Sequence, residues 1–279
     1  MEALKLNPSA VFGMAKDLFR EERALTRLDG WFLIRESYAK NEEKYAFLPP
    51  REKAANLLYD ALSELPLSIS EHALFAGTQR DAFARSYALI NPSFKVESFA
   101  GYCDPTAVFG DIEPNGEFPP ERIQAVRAHD KDTPYVRALS ETYEKVENLT
   151  GEVAFFMEQV TGHVIPDVRP FLNSGVAGEI EALSQRTATE SDPEKASGFR
   201  AMKRALEAAV MLAGRYEKLA ASLEQAASGE RRAQLARMRQ TLAKVPARGA
   251  DTLYEAIQSF QILWQVMCVE QAPNPFAFS

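Results

Sequence analysis

Phe199-Arg200-Ala201-Met202-Lys203-Arg204-Ala205-Leu206-Glu207-Ala208-Ala209-Val210-Met211-Leu212-Ala213-Gly214-Arg215-Tyr216-Glu217-Lys218-Leu219-Ala220 sets the class of fold. Met202, Ala205, Leu206, Ala209, Leu212, Ala213, Tyr216, Leu219, Ala220 and, beyond them, Leu223 recur at steps of three and four. That spacing puts them on one stripe of a long helix running from about Phe199 to Ala227. Gly229 gives a natural stop. A second helix is expected from about Arg231 to Lys244, with Leu235, Met238 and Leu242 on its buried face and Val245-Pro246 closing it. The two are expected to form an antiparallel hairpin.

The same periodicity extends to both sides. Thr252 followed by Glu255 has the spacing of a capping box, in which each side chain satisfies a backbone N–H left over at a helix start. The helix it opens is read to about Glu270. Phe260, Ile262, Leu263, Trp264, Val266 and Met267 make it nearly uniformly apolar, which implies burial on several sides. Thr133-Pro134 offers another start, because proline loses no useful N–H at the first helical position, and Tyr135, Val136, Leu139, Tyr143 and Val146 come after it at helical spacing. Val11 to Tyr38, with a break near Gly30, and Arg51 to Leu65 also read as helices.

About 73–120 reads differently. Gly77, Asn91-Pro92, Gly101, Asp104-Pro105, Asn115-Gly116 and Pro119-Pro120 punctuate it, and short apolar runs such as Ala73-Leu74-Phe75-Ala76 leave room for one or two short strands. A loop-rich insert of this kind is either functional or a surface excursion. Thr187 to Ser197 reads as a polar, linker-like stretch. The expected fold is therefore mainly α, with a loop-rich insert at about 73–120, few short strands, and a helical part over 121–279.

Composition excludes several classes of function. The chain has 279 residues, 46% hydrophobic and 25% charged, which is ordinary for a folded protein and argues against global disorder. A net charge of -7 argues against nucleic acid as the main partner. Cys103 and Cys268 lie far apart with no CxxC or Cys/His spacing, so neither a zinc site nor a disulfide framework is indicated, and a reducing cytoplasm is expected. No signal peptide is read in the first twenty residues. The most apolar segment, Ile257 to Val269, is interrupted by Gln258, Gln261 and Gln265 and is too short to span a bilayer, so no membrane association is expected.

The candidate chemistry centres on Gly162-His163-Val164-Ile165-Pro166-Asp167, with Arg169-Pro170 and Leu172-Asn173-Ser174-Gly175-Val176-Ala177-Gly178-Glu179 after it. Gly162 and Pro166 favour a defined turn around His163, and Val164 and Ile165 can anchor it. A held imidazole can bind a substrate hydroxyl or carbonyl or move a proton; equally, its ring nitrogen can tie down a backbone carbonyl. Asp167 stands where a carboxylate caps the helix expected at Arg169-Pro170. Gly175 and Gly178 permit close approach of another backbone, but no GxGxxG or GxxxxGK[ST] surrounds them, so nucleotide binding is not supported. His72 and His129 read as solvated surface groups. Cys103 and Cys268 read as inert, and no ExxH pair suggests a metal site.

Taken in order, these segments resemble the N-terminal part of the pyruvate formate-lyase-like glycyl radical enzymes, over roughly residues 20–279. Leu65-Pro66-Leu67-Ser68-Ile69-Ser70-Glu71-His72-Ala73-Leu74-Phe75-Ala76-Gly77 resembles the family's early D-E-L-I-V-G segment, and Gly162 to Gly178 its G-H-x-x-P-D-Y…L…G-x-x-G segment. Phe199 to Met202 with Ala213 to Ala220 resembles its F-Y-x-A-M…A-x-R-Y-A-x-L-A helix. Val245 to Arg248 with Thr252 to Gln258 resembles V-P…P-A-x-T-F-x-E-A-L-Q. Thr78 to Glu113 departs from the family's usual text, which leaves the subclass and substrate open.

The resemblance implies the helical N-terminal part of an α/β-barrel fold. Family members continue toward G-R-x-D, a ten-stranded barrel with a catalytic cysteine on a mid-barrel loop, and a radical-bearing glycine near the C-terminus. Here the text ends at Asn274-Pro275-Phe276-Ala277-Phe278-Ser279, so the barrel core and glycyl radical domain are expected to be absent, with no catalytic residue in this chain and no activity for it alone. The resemblance implies no directly bound cofactor. It implies a glycyl radical in the complete enzyme, installed by a radical S-adenosylmethionine activating protein, and a thiyl that takes hydrogen from a small-molecule substrate so that a C–C, C–O, C–N or C–S bond breaks. Formate C-acetyltransferase-like and dehydratase or lyase chemistry both fit. Dehydratase-like members place a His of G-H-x-x-P and a Ser just before G-R-x-D on substrate hydroxyls, which maps onto His163 and Ser279. Asp167 can add a charge, and a homodimer is expected for the complete enzyme. The alternative is a noncatalytic helical interaction module, or one half of a split enzyme.

Overall fold

A computed structural model describes residues 12–13, 16, 30–71, 73–77, 119, 121–122, 125, 128–129 and 166–270. Seven α-helices run through them: α1 (Gly30–Asn41), α2 (Pro50–Glu64), α3 (Arg169–Ser174), α4 (Ala177–Thr189), α5 (Pro193–Ala226), α6 (Gly229–Leu242) and α7 (Leu253–Glu270). A short 3-10 helix (Glu42–Tyr45) joins α1 to α2. No strand occurs among the described residues, so the short strands expected in the 73–120 insert are not seen in the part of it that is described.

The architecture is organised around α5. At about 1.5 Å per residue its 34 residues reach about 50 Å. It starts earlier than its apolar stripe suggests, because Asp192 accepts N–H bonds from Glu194 (2.9 Å) and Lys195 (3.3 Å), and Pro193 fits the first turn. The stretch read as a linker is therefore mostly helix. Only Glu190–Asp192 separates α4 from α5.

Helices α2, α4 and α6 all pack on α5. Along the α2 contact, Arg200 pairs bidentately with Glu52 (2.9 and 2.7 Å) and Arg204 bonds Asn56 (3.1 Å) and lies over the Tyr59 ring. Arg215 donates to the carbonyls of Leu62 and Leu65. The numbers rise together, so the two helices run parallel. Arg215 also satisfies orphan carbonyls at the end of α2, the end that favours a cation. By contrast, the short α5–α6 connection folds α6 back, and Arg239 meets Glu224 at 2.8 Å, which gives the expected antiparallel hairpin.

Ile34, Leu58, Ala61, Leu62, Leu212, Ala213, Tyr216, Met238, Leu242 and Ile262 form the core where these helices meet. Burying a leucine or isoleucine completely contributes about 1.5–3 kcal/mol, so this cluster outweighs the exposed ion pairs around it. His129 differs from its expectation as a solvated group: its Nε2 lies 2.6 Å from Glu42, whose other oxygen pairs with Lys53. His72 and Cys103 lie outside the described residues.

Candidate functional site

Pro166-Asp167-Val168 leads directly into α3. Asp167 Oδ1 accepts the backbone N–H of Arg169 (3.3 Å) and its Nε–H (2.9 Å), and Oδ2 accepts from Nη2 (3.1 Å). The Arg169 side chain, and then its backbone N–H, hold the Asp167 carboxyl below the usual carboxylate range. Asp167 is therefore ionised, exposed and already engaged. Its backbone bond serves the helix start, although Val168 is the residue at the N-cap position.

The end of α3 and the start of α4 fix this turn in space. The N–H groups of Val176 and Ala177 donate to the carbonyls of Pro246 and Ala247 (both 2.9 Å), and Ala250 N–H donates to Leu172 O (2.7 Å). Two backbones thus meet with no side chain between them. Gly175 has φ +74°, and a Cβ there would collide with the backbone of Ala247 and Arg248; a Cβ on Gly249 would collide with Asn173 O. Glycine is required by close approach at both positions and also by backbone angle at Gly175. Gly178 has open space around it, so close approach applies to only one of the two glycines of its segment.

A second clamp lies along α7. Gln258 pairs with both polar groups of Ala76, accepting its N–H (2.9 Å) and donating to its carbonyl (3.1 Å). Gln261 and Gln265 both donate to Gly77 O, and the Tyr254 hydroxyl donates to Leu74 O (2.6 Å). From α6, Arg231 donates to Ser70 O (2.9 Å) and Ala73 O (2.8 Å). Buried amides that exchange hydrogen bonds with a peptide in this way replace a strand partner for the irregular segment. Lys244 reinforces the entry to α7 by pairing with Asp251 (2.6 Å) and Glu255 (2.7 Å). The capping box is shifted by one residue: Glu255 N–H donates to Thr252 Oγ1 as expected, but the Glu255 carboxylate takes the Asp251 N–H.

Pro166, Val168, Phe171, Leu206, Leu263 and Met267 line an apolar cleft of about 250 Å³ between the α3 segment, α5 and α7. A more polar groove between α1 and α2 is lined by Glu36, Ser37, Lys40, Glu64 and Arg122. Among the described residues, no group of three His, Cys, Asp or Glu side chains could hold a metal ion, and no helix is long and apolar enough to cross a membrane.

Of the sequence-derived site residues, Asp167 lies just before α3, exposed and paired with Arg169. His163 and Ser279 lie outside the described residues. Sequence reasoning misses the three glutamines of α7, which hold the 76–77 backbone, and Gly249, which packs on Asn173. Their sequence signal is slight, because their partners are remote in the chain.

A family model described as pyruvate formate lyase-like matches residues 15–279. The chain belongs to the pyruvate formate-lyase-like family. Its fold is similar to that of several solved proteins. A protein of 1,2-propanediol dehydration in Roseburia inulinivorans aligns with 20% identity and TM-score 0.66, covering 86% of this chain and 31% of that one. The glycerol-bound B12-independent glycerol dehydratase from Clostridium butyricum aligns with 22% identity and TM-score 0.66, covering 87% and 32%. A glycyl radical enzyme from Archaeoglobus fulgidus aligns with 21% identity and TM-score 0.63, covering 88% and 32%. At these identities the likeness is one of fold. The chain spans about a third of the length of these solved proteins. No curated protein matches it significantly.

In this member of the pyruvate formate-lyase-like family, stretches that carry the sequence resemblance bind to one another. The 172–177 stretch locks to 246–250, and the 70–77 segment locks to α6 and α7.

Proposed function

We propose that this chain forms one wall of the substrate pocket of a glycyl radical enzyme that breaks a C–C, C–O, C–N or C–S bond of a small metabolite. Both dehydratase or lyase chemistry and formate C-acetyltransferase-like chemistry are compatible with the family. The observation that supports the proposal is the backbone interlock of 172–177 with 246–250, because it holds the end of α3 and the start of α4 against the entrance to α7.

In this reading His163, four residues before Asp167, presents its imidazole to a substrate hydroxyl. Ser279, beyond α7, presents a second polar group. Asp167 contributes a fixed negative charge, bonding a polar or cationic substrate group with the lone pairs that Arg169 leaves free. Pocket residues of this kind align one substrate C–H bond with the hydrogen acceptor, and an unpaired buried hydroxyl would be costly. When bound into the complete enzyme, a glycyl radical installed by a radical S-adenosylmethionine activating protein supplies the hydrogen-atom abstraction through a cysteine. Both the glycine and the cysteine are assigned to parts of the fold outside this chain, and the complete enzyme is proposed to be a cytoplasmic homodimer.

The test uses the purified 279-residue chain, kept anaerobic with an activating protein and S-adenosylmethionine. The expected result is no glycyl radical signal by electron paramagnetic resonance and no turnover of glycerol or 1,2-propanediol. Turnover by this chain alone would overturn the proposal.

A further inference from the structure

We draw no further inference here: the strongest candidate, the apolar cleft between the Pro166–Phe171 segment, α5 and α7, carries nothing because nothing in the structure shows what covers it.

Discussion

At Gly175 a side chain is excluded twice, by a positive φ and by the carbonyl and Cα atoms of the facing loop. Gly175→Ala is expected to cost about 2–3 kcal/mol or more, and so to lower the melting temperature by roughly 5 °C or more. Gly178→Ala, three residues away in the first turn of α4 with nothing near it, is expected to hold or raise the melting temperature. Thermal unfolding of the two variants side by side checks this; equal effects would mean that the interlock does not form. Glu52 offers a test of charge. It is buried, and the Arg200 side chain foremost holds its carboxyl below the usual value of 4.5. A carboxyl depressed on folding stabilises the protein above the unfolded value and loses that contribution as pH falls through the folded one. Wild type should therefore melt above Glu52→Gln at pH 7, and the gap should close as pH drops below about 4.5. A gap constant from pH 7 to pH 3 would contradict the pairing.

Among the elements, α7 carries two kinds of side chain for two neighbours. Gln258, Gln261 and Gln265 keep helical spacing and serve the 76–77 backbone, while Leu263 and Met267 line the cleft. In sequence the glutamines read only as interruptions of an apolar run, because the peptide they bind lies about 180 residues earlier in the chain. Gln258→Leu leaves a buried N–H and a buried carbonyl at Ala76 without partners, at about 1–3 kcal/mol each. Hydrogen exchange at the Ala76 amide should then accelerate strongly while exchange in α6 stays close to wild type; unchanged protection at Ala76 would exclude the clamp. The helices themselves were legible wherever an apolar stripe or a cap marked them. The hairpin of α5 and α6, the start of α7 at Thr252 and the span of α2 all arise from local signals. The first turn of α5 was hidden by its polar text, although Asp192-Pro193-Glu194 is itself a start signal. The meeting of the 173–175 turn with the 247–249 loop was illegible, since a backbone contact between distant loops leaves only two glycines behind.

For the molecule as a whole, α5 is the common support of α2, α4 and α6. Leu212, completely buried in the core shared by α2, α5 and α6, couples these three. Leu212→Ala is expected to cost about 2–5 kcal/mol and to weaken hydrogen-exchange protection in α2 and α6 together. Leu183→Ala should be felt chiefly between α4 and α5, because Leu183 is the only residue of α4 that is buried. If Leu212→Ala loosened one helix alone, the helices would not form one cooperative unit. The family membership and the mainly helical fold were thus readable from ordered segments and periodicity together. The substrate was not, because the polar groups proposed to choose it sit on short turns whose meaning depends on the rest of the fold.

The glycine interlock also acts as a ruler. The gap between the α3 turn and the α6–α7 loop is set by backbone-to-backbone hydrogen bonds, a dimension that only a side chain added at Gly175 or Gly249 would have to lengthen. Side chains at 173–174 and 247–248 are therefore free to drift while the two backbones keep their positions. A single residue inserted between Gly249 and Ala250 would break the register with Leu172 and shift the α3 turn relative to α7.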